Sequence, residues 1–447
     1  MLTDKDKYRV IGIGIGPANL SLAALLEPCQ NIKSLFIDRK KEFIWHPGLL
    51  FANAELQVTY LKDLVSLVDP TSPYSFLEFL REKGRLYSFI NANFQHVLRR
   101  EFNEYYAWAC GKLSNLEFGC DVSGIDVGRN GIEVISSGRA RYTEHLVVGT
   151  GLEPSIPACA APFLGDTLFH ASEYLSRNVA KAGRRIVIVG GGQTGAEIFL
   201  NLVSDDSMLP ASVQWISRRP NFLPLDETPF INEQFTPGYS DYFFGLPETL
   251  REHLVADQKL TSDGISPSML EAIYRRLYEL KFLMKQGYNW ELQPGRALET
   301  VVQGSRGFEL TTKHVHTGQI ETRDADIVIL CTGYAARLPK CLAPIRKRIT
   351  LNARDEYVVL PDYSIEWDGP PNHKIYVQNA SRTQRGLADP NLSLLAWRSA
   401  KIVNSLAGRD VYDVQNNHSI LNWEPHIPQS MNHNRRARLV DYPSFGT

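Results

Sequence analysis

Residues Val10–Leu26 read VIGIGIGPANLSLAALL. An apolar run, closely spaced glycines and a second apolar run make the strand–turn–helix opening of a dinucleotide-binding unit. The common spacing G-x-G-x-x-G places a third glycine at position 17, yet here Gly12 and Gly14 are followed by Gly16 and then Pro17. Proline has no N–H, and its fixed φ suits the first turn of a helix. The tight glycine therefore moves to Gly16, and the helix is expected to begin at Pro17. The next strand, SLFIDR at 34–39, ends in Asp38. An acid about 20 residues beyond the glycines accepts hydrogen bonds from ribose hydroxyls.

The same unit recurs. The stretch RRIVIVGGGQTGAEIFLNL, 184–202, carries Gly190-x-Gly192-x-x-Gly195, with Gln193 and Thr194 between the glycines and a helix expected near Ala196. One such fingerprint is weak evidence. Two, each after an apolar strand and before a helix, point to two dinucleotides, FAD and a nicotinamide cofactor that together move hydride. The second strands assign them. Asp38 suits a ribose without phosphate, whereas SVQWISRR at 212–219 ends in Ser217, Arg218 and Arg219. Guanidinium groups pair with a 2′-phosphate that a carboxylate would repel. The first site is thus expected to take FAD and the second NADPH. The plain alternative for Arg218 and Arg219 is a solvated strand end.

Composition agrees with a multi-domain globular enzyme. The chain has 447 residues, 43% hydrophobic and 22% charged, with a formal net charge of −1. Nothing in this balance asks for a nucleic-acid partner. The six cysteines are scattered without a C-x-x-C pair, which excludes a structural zinc site and fits a reducing compartment. No metal is expected. No apolar run reaches the ~20 residues of a membrane span, and the charged N-terminus lacks signal-peptide features, so a cytoplasmic protein is expected. Helical periodicity covers 74–113 and about 268–284, and the final helix runs from about 392 to 406. Strands are expected at 307–312 and 324–334. The last ~30 residues lack periodicity and read as a loose tail.

The fold expected is α/β: two Rossmann-like dinucleotide-binding domains plus a smaller, mainly helical substrate-binding region. The FAD domain is assigned to 1–170 and 331–447, the NADPH domain to 171–229 and 288–330, and the helical region to 230–287.

Several blocks, in order, make the resemblance specific: GIGPANLSLAAL (14–25), FIWHPGLL (43–50), LQVTYLKDLVSLVDPTSPYSFLEFL (56–80), VIVGGGQTGAEIFLNL (187–202), FINEQFTP (230–237), TSDGIS (261–266), CTGY (331–334) and GLADPNLSLLAWRSA (386–400). Together they resemble the microbial flavin-dependent amine N-hydroxylases of hydroxamate siderophore pathways, which act on lysine, ornithine or diamines. The likeness spans about residues 8–412 and includes the Gly-Pro variant of the first turn.

The resemblance implies that NADPH reduces FAD, that O2 forms a C4a-hydroperoxyflavin protected by bound NADP+, and that a neutral primary amine attacks its distal oxygen. It places Gln57 beside the isoalloxazine, Trp45 and His46 on the flavin side, and Leu392 and Ser393 by the flavin ring. Gln193 then contacts NADP+. Lys62 pairs with a substrate carboxylate and Asn232 binds substrate; with Gln57 these are the candidate catalytic residues. The plain alternatives are a surface lysine, a turn-capping asparagine, a loop histidine and a core tryptophan.

Two departures stand out. Ornithine enzymes carry an asparagine followed by Tyr-Ser where TSDGIS stands, so Asp263 offers a carboxylate that would attract an ammonium group at the non-reacting end. Arg385 replaces a histidine found in many relatives. The substrate expected is L-lysine or a diamine such as cadaverine or putrescine, with L-ornithine as an alternative, and a homo-oligomer (dimer or tetramer) is expected. Carbon- or sulfur-oxygenating flavin monooxygenases fit less well: in FLGDTLFHASEY, Phe163 and Gly165 lie one residue too far from His170 for their signature. A disulfide reductase fails because Cys29 has no partner near the first unit, and a non-catalytic flavin-binding protein is the remaining alternative.

Overall fold

The computed structural model describes residues 7–94, 96–128, 131–284, 288–415 and 419–424. The expected charged start and most of the expected loose tail lie outside them. Two sheets, one mixed and one parallel, each fronted by a glycine turn, organise the chain.

In the first, strand Lys7–Ile13 pairs in parallel with Ser34–Asp38 on one side and Arg139–Val148 on the other. Leu116–Phe118 extends one edge, and Ile375–Val377 returns from the far end of the chain to pair with Leu146–Val148. An antiparallel pair, Gly131–Ser136 and Val122–Gly128, completes this sheet. The second sheet is parallel throughout, in the order 290–294, 212–217, 185–189, 327–330, 168–170. Strand Leu168–His170 thus belongs by hydrogen bonding to this sheet, so the second unit starts ahead of the expected boundary at 170.

The helix Pro17–Leu26 does start at its proline, with Gly16 as N-cap. Every residue from Ala18 to Leu26 is buried, which is why its apolar pattern has no polar face. It packs against helices Leu395–Ala407 and Arg99–Lys112. The second fingerprint helix starts at Gln193, three residues before the expected Ala196.

Three other expectations are refined. The segment 74–113 breaks into helices Phe76–Glu82, Leu86–Ala92 and Arg99–Lys112. The expected strand 324–334 is two strands in different sheets: Ile320–Ala325 closes a three-stranded antiparallel sheet with 296–304 and 307–314, and Ile327–Leu330 enters the second, parallel sheet. The break falls at Asp326, whose carboxylate takes the Arg185 backbone N–H (2.9 Å) and its guanidinium (2.8 Å). Finally, the described residues 230–284 carry helices Pro237–Phe244, Glu248–Asp257 and Pro267–Phe282 as their main elements. No helix among the described residues is long and apolar enough to cross a membrane.

Candidate functional site

Both glycine turns are built for close approach. Gly14 has φ +88°, and a Cβ there would lie 2.5 Å from the Gly149 carbonyl oxygen. Gly190 has φ +130°, and a Cβ would meet the Cys331 oxygen at 2.1 Å. Each turn therefore presses onto the glycine- or cysteine-led loop of the neighbouring strand, a conformation and a distance that exclude side chains.

At the helix starts the situation reverses. A Cβ on Gly16 would touch nothing within 4 Å, and neither Gly16 nor Gly192 supplies a side-chain cap. Two helices thus start without a side-chain cap, the first facing open space and the second with only the Asp263 carbonyl oxygen within 4 Å of a Cβ on Gly192, which fits a pyrophosphate at each. Asp38 is buried at the end of its strand and accepts hydrogen bonds from the backbone N–H groups of Ile15 (2.7 Å) and Lys40 (2.8 Å). Both bonds orient the carboxylate beside the first turn and leave lone pairs for ribose hydroxyls.

The asparagine of Gly-Pro-Ala-Asn-Leu explains itself only in three dimensions. Asn19 is fully buried; its amide donates to the carbonyls of Ile13 (3.1 Å) and Gly14 (2.8 Å) and accepts from Gln378 Nε2 (2.8 Å). Arg398 in turn donates to Gln378 (3.0 Å) and forms a buried pair with Asp389 (3.0 Å), which also takes the N–H and hydroxyl of Ser381. One polar chain therefore fastens the first glycine turn to the GLADPNLSLLAWRSA block.

On the nucleotide side of the second turn, Gln193 opens the helix and is shared three ways. Its Oε1 accepts from the Ser266 backbone N–H (2.8 Å) and from Gln57 Nε2 (3.5 Å), and its Nε2 donates to Glu197 (2.9 Å). Gln57 also donates to the Ser266 hydroxyl (3.2 Å). The expected flavin-side and nicotinamide-side amides thus meet. Glu197, 2% exposed, receives both terminal nitrogens of Arg99, which adds a tie between the two halves.

Trp45 packs on Tyr106 and on His46. His46 keeps an exposed face, but the protein around it, with Arg99 and Lys40, lowers its pKa to about 4 and leaves the imidazole neutral at pH 7.

Lys62 donates to the Ser393 hydroxyl (2.8 Å), and its ammonium lies 5.5 Å from the centre of the Phe235 ring. Ser393 sits in the 3-10 turn Leu392–Leu394 at the head of the last helix, held by Asn391 (2.8 Å). The neighbouring Asp63 is turned to Val65, Ser66 and Phe76. No carboxylate among the described residues pairs with Lys62, and burial lowers its pKa to about 8. The block FINEQFTP reaches Lys62 through Phe235, while the Asn232 side chain is exposed and donates to the Glu227 carbonyl (3.1 Å).

Asp263 is elsewhere. Its carboxylate faces Arg382 (3.7 Å), its carbonyl accepts from Arg219 (2.8 Å), and that carbonyl would stand 3.6 Å from a Cβ on Gly192. It therefore borders the second glycine turn among cations, and Lys259 is close enough to feel Arg218, Arg219 and Arg382.

Ser217 fixes the turn after its strand by accepting from the Arg219 N–H (3.1 Å). Arg219 is then committed to the carbonyls of Gly191 (3.2 Å) and Asp263. Arg218 is exposed, and among the described residues no hydrogen bond or ion pair occupies it. Arg218 is thus the group available for a phosphate. Arg218→Ala should cut the NADPH-over-NADH preference in kcat/KM roughly 10-fold or more, the worth of one charge-assisted contact. An unchanged ratio would remove the phosphate assignment.

Arg385 is a structural residue. It is 1% exposed, pairs with Asp241 (3.0 Å), donates to the Leu360 and Pro361 carbonyls, and stacks on Phe244 (3.9 Å).

Comparison with known proteins agrees with this geometry. The family described as L-lysine 6-monooxygenase/L-ornithine 5-monooxygenase matches residues 6–336. The chain is 39% identical to the L-lysine N6-monooxygenase of Escherichia coli, over 94% of this chain and 99% of that protein. The FAD-bound cadaverine monooxygenase of desferrioxamine biosynthesis from Erwinia amylovora superposes with a TM-score of 0.88 at 34% identity, covering 94% and 99% of the two chains. The ornithine N-hydroxylase of Kutzneria sp. 744, solved with reduced FAD, NADP+ and L-ornithine, gives 0.84 at 28% identity, covering 90% and 99%.

Proposed function

We propose, starting from the fact that this chain belongs to the L-lysine 6-monooxygenase/L-ornithine 5-monooxygenase family, that it hydroxylates the terminal amine of L-lysine with NADPH and O2. The product would enter hydroxamate siderophore synthesis. FAD and NADPH are its cofactors, at the first and second glycine turns respectively. Bound together, they supply hydride transfer and the activation of oxygen for delivery to nitrogen.

One observation carries the choice of substrate: Lys62 is a largely buried ammonium without a carboxylate partner among the described residues. Burying an unpaired charge is costly, and an incoming carboxylate relieves that cost. Ser393 and Phe235 fix where it lies, at the head of the last helix. The reaction needs the substrate amine, ordinarily of pKa ~10.4, in its neutral, nucleophilic form, which a water-poor surrounding favours. Gln57, bonded to Gln193 and Ser266, holds the junction between the flavin and nicotinamide sides.

A second reading, cadaverine, is favoured by the likeness to the Erwinia amylovora enzyme. It leaves Lys62 without an anion and asks Asp263 to receive the far ammonium. Asp263 is already flanked by Arg382, Arg219 and Lys259, which repel such a group.

The pH dependence separates the two. Lys62 loses its proton as pH rises through about 8 in the free enzyme, and its attraction for a carboxylate goes with it. For L-lysine, kcat/KM should carry a falling limb near that pH, absent with cadaverine and absent in Lys62→Met. An identical limb for both substrates would argue against a carboxylate contact.

A further inference from the structure

The described part of the chain ends in a short segment, 419–424, for which the reaction as derived has no use. It lies on the helical region. The Trp423 ring sits 4.7 Å from that of Tyr239 at 64° and 6.2 Å from that of Tyr242 at 25°. Its Nε1 is buried with no hydrogen-bond partner among the described residues, and the packed ring makes the attachment seen there. Four residues earlier, the Ser419 hydroxyl donates to the Glu233 carboxylate.

These contacts bracket the stretch that carries the expected substrate wall. Glu233 follows Asn232 directly, and Phe235 lies against Lys62. Thr236 then caps helix Pro237–Phe244, on which Tyr239 and Tyr242 stand. The opposite side of this helix is fastened at Asp241, which pairs with Arg385 (3.0 Å) and Lys401 (2.8 Å). The helix is therefore clamped between the last helix of the flavin half and the 419–424 segment, and only the second clamp reaches Glu233.

We propose that Trp423, with Ser419, is a positioning residue for the amine: it holds the Asn232–Phe235 turn at a set distance from Lys62 and so selects the length of the substrate. This rests on the reading of Lys62 as the carboxylate anchor. With the reacting amine set at the flavin side, the position of this turn beside Lys62 decides where the carboxylate end lies and so how many methylenes fit. One methylene separates L-lysine from L-ornithine, a difference of the size that an apolar pocket discriminates about 10- to 200-fold.

The test uses the full-length, FAD-loaded enzyme and the variants Trp423→Ala, Trp423→Phe and Ser419→Ala. For Trp423→Ala the expected result is a 5- to 20-fold rise in KM for L-lysine. The lysine/ornithine ratio of kcat/KM should shrink by about the same factor, with KM for NADPH changed less than about twofold. Trp423→Phe, which keeps a ring, should recover most of the ratio. If Trp423→Ala does not fold, Ser419→Ala should produce a smaller change in the same ratio. Retention of the ratio by every soluble variant, or a parallel loss of lysine and NADPH kinetics, overturns the proposal. Amide exchange of residues 232–242 in the FAD-loaded protein gives a second readout: faster exchange in Trp423→Ala supports the clamp, and unchanged exchange overturns it. A wild-type enzyme inactive on every amine would instead refute the Lys62 reading, with the exchange result still deciding the clamp.

Discussion

Lys62→Ala should raise the KM for L-lysine about 100-fold, or roughly 2.7 kcal/mol, while changing that for cadaverine by no more than about threefold. The asymmetry follows from what the ammonium does in each complex. In the proposed complex with an amino acid it would meet a carboxylate in a partly buried place, and removing it would leave that carboxylate unpaired. With a diamine it meets no anion, so what is lost is the bond to the Ser393 hydroxyl and the ammonium's contact with the Phe235 ring. Steady-state kinetics with both substrates decide the matter. Equal losses on the two would show that Lys62 acts through Ser393 or the fold, not through the substrate carboxylate.

Arg398→Leu should cost about 3–5 kcal/mol of stability, measured by urea unfolding, because it strands a buried Asp389. The loss should extend to flavin retention. Arg398 holds Gln378, Gln378 holds Asn19, and Asn19 holds the carbonyls of the first glycine turn. A variant of undiminished stability that keeps its flavin would mean that this chain of bonds is dispensable. Leucine tests the pair fairly, since it fills space without offering a new polar partner.

Much of this was legible in the sequence, and the parts that were not share a cause. The two glycine turns, Pro17 as the first helical residue, Asp38 at its strand end and helix Pro267–Phe282 all follow from local spacing. Local spacing carries no information about long-range polar partners. Asn19 in an otherwise apolar helix and Arg398 in LLAWRSAKI were visible as isolated polar residues in apolar runs, a sign of buried groups needing partners. Their partners lie far along the chain and could not be read from the sequence.

Arg99 and Glu197 show the same pattern across the two halves. Asp263 taught a different lesson. Its motif suggested an ammonium receptor, but Arg219 and Arg382 converge on it from separate segments, and the cations around a carboxylate decide what it attracts. Arg218 and Arg219 looked equivalent as neighbours. Only the fold shows that one is committed to backbone carbonyls and the other is exposed.

The most direct measurement is N-hydroxylated amine formed per NADPH oxidised, with L-lysine, L-ornithine, cadaverine and putrescine supplied in parallel to the FAD-loaded enzyme. The account expects L-lysine to give the highest kcat/KM and close to one hydroxylated amine per NADPH, with poorer coupling for the others. NADPH oxidation at the same rate with and without each amine, and no hydroxylated product, would contradict it.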